Sequence, residues 1–145
     1  MPRVITIDPG KSKCGLVLAE ISEKIVYRAI VLKSEVLENY LRNLIAAEDI
    51  SQIIIGNGTT SREIREKLYF FKKEIIIFEE KYTTFRAKER YFELFPIVGL
   101  QFLMPKEVFI LNKTLDAISA LIILEDYCKT KFTLNKNMDF KTWLK

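Results

Sequence analysis

The segment that decides the fold is RVITIDPGKSKCGLVLAE, residues 3–20, in which an apolar run ends at an Asp-Pro-Gly turn. Arg3–Asp8 is rich in β-branched residues and Asp-Pro-Gly is a strong turn signal, so the pattern predicts a strand and then a turn. Gly15–Glu20 and Ile25–Leu32 have the same apolar character and predict two further strands. The first third of the chain is therefore predicted to be a three-stranded antiparallel meander.

The rest of the chain alternates between helical and strand patterns. Apolar residues at helical spacing follow Ser34, and a helix over Thr60–Phe71 begins with Thr-Ser-Arg-Glu, which fits a capping box. The other predicted elements are strands at Gln52–Ile55, Glu74–Phe78 and Val108–Leu111 and helices at about 84–95 and 113–128. This order predicts an α/β fold in which a mixed sheet carries helices on its faces.

The composition excludes several classes of protein. The 145 residues, 49% of them hydrophobic, are enough for one domain with a buried core. The sequence has no histidine, which excludes Ser-His-Asp and Cys-His nucleophile systems and histidine-bound zinc. Cys14 and Cys128 are too few for a disulfide framework and suit a reducing cytosol. Without a signal-peptide pattern or a long apolar stretch, the chain is expected to be cytoplasmic and to have no membrane contact.

The net charge of +4 is concentrated at the C-terminus. Residues 129–145 contain five lysines and one acidic residue, whereas residues 1–128 are neutral. We therefore divide the chain into a domain, residues 1–128, and a basic C-terminal tail, residues 129–145. Phe132, Phe140 and Trp143 lie between the lysines of the tail. They could stack on the bases of a nucleic acid, but packing of these rings on the domain is the favoured interpretation.

Acidic residues stand where a sheet of this kind binds ligands. Asp8 ends the first strand, and Asp116 lies in the first turn of the last predicted helix. Glu79 and Glu80 directly follow the strand Glu74–Phe78. The ends of neighbouring strands form a natural crevice, and carboxylates that converge there need a cation such as Mg²⁺ or Mn²⁺. Each residue also has a structural interpretation, as a turn residue, a solvated strand end or a complement to the helix dipole.

Four segments resemble, in order, the motifs of the RuvC/YqgF family of Holliday junction resolvase-like nucleases. IDPGKSKCGLVLAE resembles the first motif, and IIIGNGTTS resembles the loop after the fourth strand. FEEKYTTFRAKERY is similar to the Asp-Glu-Arg-x-Thr-Thr motif, and NKTLDAISALIILEDY is similar to the closing segment. The resemblance implies an RNase H-like fold, with a mixed five-stranded sheet of three antiparallel and then two parallel strands and helices on both faces.

The resemblance also implies a nuclease whose Asp-Glu-Asp site binds two divalent ions, Mg²⁺ or Mn²⁺. The matching residues, as catalytic groups and as metal ligands, are Asp8, Glu80 and Asp116. Glu79 stands where the family usually has Asp, so the choice between Glu79 and Glu80 as the ligand stays open. The basic residues expected to contact nucleic-acid phosphates are Lys11, Lys13, Lys81 and Arg86. Lys11 and Lys13 are equally compatible with ordinary turn residues.

The leading hypothesis is a divalent-metal-dependent endonuclease that hydrolyses phosphodiester bonds in structured nucleic acid. The resemblance implies two substrates, branched DNA such as a Holliday junction or the 5′ end of precursor 16S ribosomal RNA, and the nearer likeness to the YqgF branch favours RNA. A homodimer is possible, because RuvC-type enzymes act as dimers. The alternative is a non-catalytic nucleic-acid- or protein-binding module with a relict site. The aromatic residues that we expect to pack in the core or against a helix, rather than to stack on bases, are Phe85, Tyr91, Phe92 and Phe95.

Overall fold

The computed structural model describes residues 2–58, 60–79, 83–94, 105–136 and 140–144, and of residues 83–84, 105–114 and 140–144 it describes the backbone alone. The helices, after a short 3₁₀ turn at Ser34–Val36, are α1 (Leu37–Ala47), α2 (Ser61–Lys67), α3 (Thr83–Leu94) and α4 (Pro105–Cys128). The strands are β1 (Arg3–Asp8), β2 (Lys13–Glu20), β3 (Ile25–Lys33), β4 (Ile50–Gly56), β5 (Glu74–Phe78), β6 (Thr133–Leu134) and β7 (Phe140–Leu144).

The strands form one mixed sheet in the order β5-β4-β1-β2-β3-β6, with β7 also paired to β3. β1, β2 and β3 are the predicted antiparallel meander, and β4 and β5 run parallel to β1. Three antiparallel strands followed by two parallel ones are the arrangement expected of the RNase H-like fold. The predicted fold class is therefore confirmed.

The sheet has seven strands rather than the five expected, because the C-terminal segment adds two. β6 pairs in parallel with Ile25 and Val26, and β7 pairs in parallel with the second half of β3. Parts of the predicted basic tail, residues 129–145, thus belong to the sheet and pair with β3. Phe132, as expected, packs on the domain and is 1% exposed.

Side chains that alternate along the central strands supply two separate cores. On one face, Ile5 and Ile7 pack with Leu41 of α1 and Ile64 of α2. On the other face, residues that include Val4 and Val17 pack against α4. Helix α3 packs on α4 through a smaller cluster of Ala87, Leu115, Ile118 and Ile122. The helices therefore lie on both faces of the sheet, as predicted.

The predicted strand at Val108–Leu111 is wrong, because these residues belong to α4. A short apolar run cannot be distinguished from a buried helix segment by its pattern alone. Pro105, at the first position of α4, suits a helix start, and no glycine or further proline interrupts the chain before Cys128. Among the described residues, no helix is long and apolar enough to cross a membrane.

Two further local predictions differ from the structure. Helix α2 ends at Lys67 rather than Phe71, and Thr60 at its N-cap makes no capping hydrogen bond; Ser61 Oγ donates instead to the Gly58 carbonyl, at 2.9 Å. On α3, Phe85 and Phe92 are 67% and 42% exposed, so these rings are not in the core. Tyr91 packs against the α3–α4 cluster as expected, and Phe95 lies outside the described residues.

Candidate metal and nucleic-acid site

Asp8 and Asp116 approach each other because both are neighbours of Gly15. Asp8 is paired with Gly15 across the β1–β2 ladder. Alternation from Val4, which packs against α4, places the Asp8 side chain on the α4 side of the sheet. On that side, the backbone of Asp116 packs so closely on Gly15 that a Cβ there would collide with the Asp116 carbonyl group. Glycine at position 15 therefore allows α4 to bring Asp116 to the end of β1.

The Asp116 carboxylate is oriented partly into the protein. Its Oδ2 atom is buried and has no hydrogen-bond partner, while the side chain as a whole is 32% exposed. Lys13 Nζ lies 3.4 Å from Oδ2 and forms an ion pair, although the contact lacks hydrogen-bond geometry. A buried anionic oxygen without a hydrogen bond is costly, and a cation at this position would satisfy it.

The position of Asp116 in its helix excludes one of the structural interpretations. The sequence pattern predicts that Asp116 lies in the first turn of a helix starting near residue 113, whereas α4 begins at Pro105. Asp116 is therefore in the interior of α4, and the helix dipole acts mainly on charges in the first and last turns. Complementing the dipole does not explain an aspartate at this position.

The same pair of carboxylates affects the pKa of the Cys14 thiol. Burial, followed by the negative charges of Asp8 and Asp116, raises the pKa of Cys14 to about 12, and a hydrogen bond with Ser34 partly opposes this rise. Both carboxylates are thus close enough to Cys14 to disfavour a thiolate there. Cys14 is neutral at physiological pH and is no nucleophile. Both Cys14 and Cys128 are free thiols.

The third predicted ligand, Glu80, and the neighbouring Lys81 lie outside the described residues. Glu79 directly follows β5 and is exposed. No group of three or more acidic or cysteine side chains with the geometry of a metal site occurs within the described part of the chain. The Asp8–Asp116 pair, in which Asp116 Oδ2 is ion-paired with Lys13 but accepts no hydrogen bond, nevertheless suits a hard divalent cation, which prefers oxygen ligands.

Two of the predicted phosphate-contacting lysines lie beside the end of β1 but face different surroundings. Lys13 pairs with Asp116. Lys11 is exposed and lines a cavity of about 260 Å³ between the β1–β2 turn and helices α1 and α2. That cavity has both apolar and charged walls, to which Glu35 and Lys67 contribute. Lys13 is therefore the lysine that the structure brings to the carboxylates.

Arg86 is not brought to the carboxylate pair. Its guanidinium group donates two hydrogen bonds, each 2.6 Å long, to the carboxylate of Asp126. Asp126 lies ten residues beyond Asp116 on α4, which corresponds to about 15 Å along the helix axis. The structure thus assigns Arg86 a role in holding α3 on α4, and a contact between Arg86 and nucleic acid stays a prediction.

A buried ion pair that the sequence analysis missed holds the C-terminal segment on the helices. Arg90 on α3 donates two hydrogen bonds to Glu125 on α4 and a third to the carbonyl of Phe132. Glu125 in turn accepts a hydrogen bond from the Phe132 backbone N–H, at 2.8 Å. In the sequence, the signal for this ion pair is that Arg90 follows Ala87 by three residues, which places the arginine on the apolar face of α3.

Comparisons with known proteins describe only the architecture. No protein-family model matches the chain, and no curated protein matches it. Among solved structures, the chain is similar to Thermus thermophilus RuvC in complex with a Holliday junction substrate, with 10% sequence identity and a TM-score of 0.49. The alignment covers 91% of this chain and 99% of the RuvC chain.

Proposed function

We propose that this chain is a divalent-metal-dependent endonuclease that hydrolyses phosphodiester bonds in structured nucleic acid. The observation that carries the proposal is the convergence of Asp8 and Asp116 at Gly15, with one Asp116 oxygen buried and without a hydrogen bond. Two aspartates from distant parts of the sequence, on a strand end and a helix interior, form an oxygen donor set that suits Mg²⁺ or Mn²⁺. The chain has no histidine, so its acid–base chemistry would not depend on an imidazole.

In this proposal the residues of the site have separate tasks. Asp8 and Asp116 would hold the cations, and Glu80 or Glu79 would complete the set. The chemistry that such ions supply when bound is activation of water and stabilisation of the leaving oxygen. Lys13, which lies beside Asp116, would bind a substrate phosphate next to the reacting bond. The neutral thiol of Cys14 takes no part in proton transfer.

The substrate class follows from the resemblance and from the charge of the chain. Structured RNA, such as the 5′ end of precursor 16S ribosomal RNA, and branched DNA, such as a Holliday junction, are the two candidates. The net charge of +4 suits a polyanionic partner, but it is small for a protein that covers a large nucleic-acid surface. We propose structured RNA as the first substrate to examine and branched DNA as the second.

A cleavage assay with matched variants tests the proposal. Purified protein with Mg²⁺, Mn²⁺ or chelator is incubated with a precursor ribosomal RNA leader, a single-stranded RNA and a four-way DNA junction. We expect metal-dependent cleavage that is lost in Asp8→Asn and Asp116→Asn. Asp126→Asn is the control, because it removes a carboxylate from the same helix at a site that binds Arg86. Cleavage that persists in both Asp8→Asn and Asp116→Asn would contradict the proposed site.

A second candidate, a binding module with a relict site, is supported by one observation. Lys13 already places an ammonium group 3.4 Å from Asp116 Oδ2, and an internal cation of this kind can replace a metal ion. Such a module would bind nucleic acid equally with Mg²⁺ or with chelator and would cleave none of the substrates. Direct measurement of Mn²⁺ binding by electron paramagnetic resonance separates the two candidates, because the relict module would leave Mn²⁺ free in solution.

A further inference from the structure

A basic groove adjoins the carboxylate pair. The groove has a volume of about 410 Å³ and runs from the β1–β2 turn to the end of β3. Its walls carry three lysines, Lys11, Lys13 and Lys33. Lys13 Nζ also lies 3.4 Å from Asp116 Oδ2, so the groove is in contact with the candidate metal site.

Two lysines of the groove are placed so that an anion would stabilise them. Lys13 and Lys33 are directly opposite each other in the antiparallel β2–β3 register, and like charges in this arrangement destabilise a sheet. Lys13 is paired with Asp116, whereas Lys33 is exposed and forms no ion pair with another described side chain. A phosphate group in the groove would offset the repulsion between the two ammonium groups.

The basic groove opens into the cavity of about 260 Å³ between the β1–β2 turn and helices α1 and α2. The groove and the cavity share Lys11, Ser34 and Glu35 as lining residues. The apolar part of the cavity wall consists of buried side chains, which are Leu37, Leu41, Ile64 and Leu68. A charged path therefore leads from the carboxylates to an apolar recess.

The polar groups of the cavity suit the edge of a nucleobase. Glu35 is exposed and forms no ion pair with another described side chain, whereas Glu38 and Glu63 in the same wall each form an ion pair within their own helix. An unpaired carboxylate accepts a hydrogen bond from the exocyclic amino group of a base. Thr60 also lines the cavity, and its hydroxyl has no hydrogen-bond partner within the described part of the chain.

We propose that the basic groove guides the phosphate backbone of the substrate and that the cavity receives one unpaired base of it. The base is adenine, cytosine or guanine, because these carry an exocyclic amino group that donates to Glu35. Its flat faces pack between the leucine and isoleucine side chains, as in other proteins that hold a base outside its stack. This inference rests on the proposed function and deepens it, since it adds an unpaired base to the features of the substrate.

The position of the cavity explains why the base must be unpaired. Asp8 is on the α4 side of the sheet, whereas the cavity is on the side of α1 and α2. Gly10 lines the cavity two residues after Asp8, and two residues span at most about 7 Å. A strand that crosses the β1–β2 turn can therefore place a phosphate at Asp8 and a nearby base in the cavity. A paired base cannot enter, because its edge and its faces are already occupied.

Equilibrium binding of the full chain to RNA hairpins tests the cavity. The hairpins contain a bulged adenine, a bulged uracil, a bulged abasic nucleotide or no bulge, and fluorescence anisotropy is measured in chelator to prevent cleavage. We expect the bulged adenine to bind at least about tenfold more tightly than the abasic or fully paired hairpin. Glu35→Ala should remove the preference for adenine over uracil. Glu66→Ala, which changes an exposed glutamate of α2 outside the cavity wall, should retain this preference.

Lys33→Ala tests the basic groove separately. The loss of one phosphate contact should lower the slope of log affinity against log salt concentration by about 0.7–0.9. Lys72→Ala is the matched control, because Lys72 is exposed and precedes β5, at the end of the sheet opposite Asp8. Its salt slope should equal that of the wild type, and thermal melting checks that all variants are folded.

The outcomes separate this inference from the proposed function. Equal affinity for the bulged adenine and abasic hairpins overturns the inference, and so does an adenine preference that persists in Glu35→Ala or an unchanged salt slope in Lys33→Ala. Free adenosine monophosphate that binds as tightly as the bulged hairpin would identify a free-nucleotide site and also overturns it. Equal binding of paired and bulged RNA leaves the endonuclease proposal intact, whereas binding to none of the hairpins contradicts the inference and argues against an RNA substrate.

Discussion

Replacing Gly15 by alanine should damage both the fold and the candidate site. The added Cβ would collide with the Asp116 carbonyl and would lie 2.9 Å from the backbone nitrogen of Ala117. These are main-chain atoms of α4, which packs along β1, β2 and β3, so no flexible side chain can move aside. Helix α4 must shift by about 1 Å or more to restore van der Waals contact.

The magnitude follows from two opposing effects. Alanine is favoured over glycine inside a strand by roughly 0.5–1 kcal/mol, because the unfolded chain loses less backbone entropy. Overpacking a well-packed core costs about 1–3 kcal/mol and occasionally more, and a backbone collision belongs at the upper end. We expect Gly15→Ala to lower the free energy of unfolding by about 2 kcal/mol, and the Tm by roughly 4–8 °C.

Gly56→Ala is the matched control for Gly15→Ala. A Cβ at Gly56 also faces α4, but the atom it meets most closely, at 2.7 Å, is Cδ1 of Ile123. This is the end of a flexible side chain, so the cost should remain below about 1 kcal/mol. Urea unfolding gives the free energies, and Mn²⁺ titration reports the carboxylate pair, which only Gly15→Ala should disturb. Equal losses of stability in the two variants, or unchanged Mn²⁺ binding in Gly15→Ala, would refute the reasoning.

Three further predictions concern individual side chains. Arg90→Ala should lower the free energy of unfolding, measured in urea, by about 3–5 kcal/mol, because it leaves Glu125 buried without its partner. The double variant Arg90→Met with Glu125→Leu should recover much of this loss. An equal loss in the single and double variants would argue against the ion pair. Burial raises the pKa of the Cys14 thiol from 9.0 to about 12 in the folded chain, so the unfolded chain releases the thiol proton at a lower pH. The contribution of this group to the free energy of unfolding is therefore complete below pH 9 and falls as the pH rises toward 12. Between pH 9 and pH 11 the wild type should therefore lose stability faster than Cys14→Ala, by a slope that rises toward about 1.4 kcal/mol per pH unit, and parallel stability curves would contradict this. Lys13→Met should strengthen Mn²⁺ binding several-fold, because the ammonium group near Asp116 no longer competes with the cation; weaker binding in this variant would show that Lys13 does not oppose the metal.

Some local interpretations of the sequence were wrong, and for physical reasons that can be named. The apolar run Val108–Leu111 predicts a strand but lies in α4, because four apolar residues fit a buried strand and a buried helix equally well. Thr60 has the residue type of an N-cap, yet Ser61 makes the side-chain hydrogen bond at this turn. Phe85 and Phe92 fit a helix packing pattern, but α3 contacts α4 through a narrow stripe around Ala87 and leaves both rings exposed.

The sequence by itself predicted the five principal strands in their order along the chain and the antiparallel pairing of the first three, and the resemblance implied that the last two are parallel. The β-branched runs, the Asp-Pro-Gly turn and the apolar spacing after Ser34 are local signals, and local signals suffice when each element forms from neighbouring residues. It also identified Asp8 and Asp116 as candidates, through placement and resemblance.

Only the tertiary structure decided what these residues do together. The approach of Asp116 to Asp8 depends on the missing Cβ of Gly15, and the attachment of the C-terminal segment depends on the Arg90–Glu125 pair. Each of these contacts joins residues far apart in the chain, whose distance is set by the packing of α3 and α4 on the sheet. No local pattern encodes such a distance, because it results from all the side chains packed between the elements.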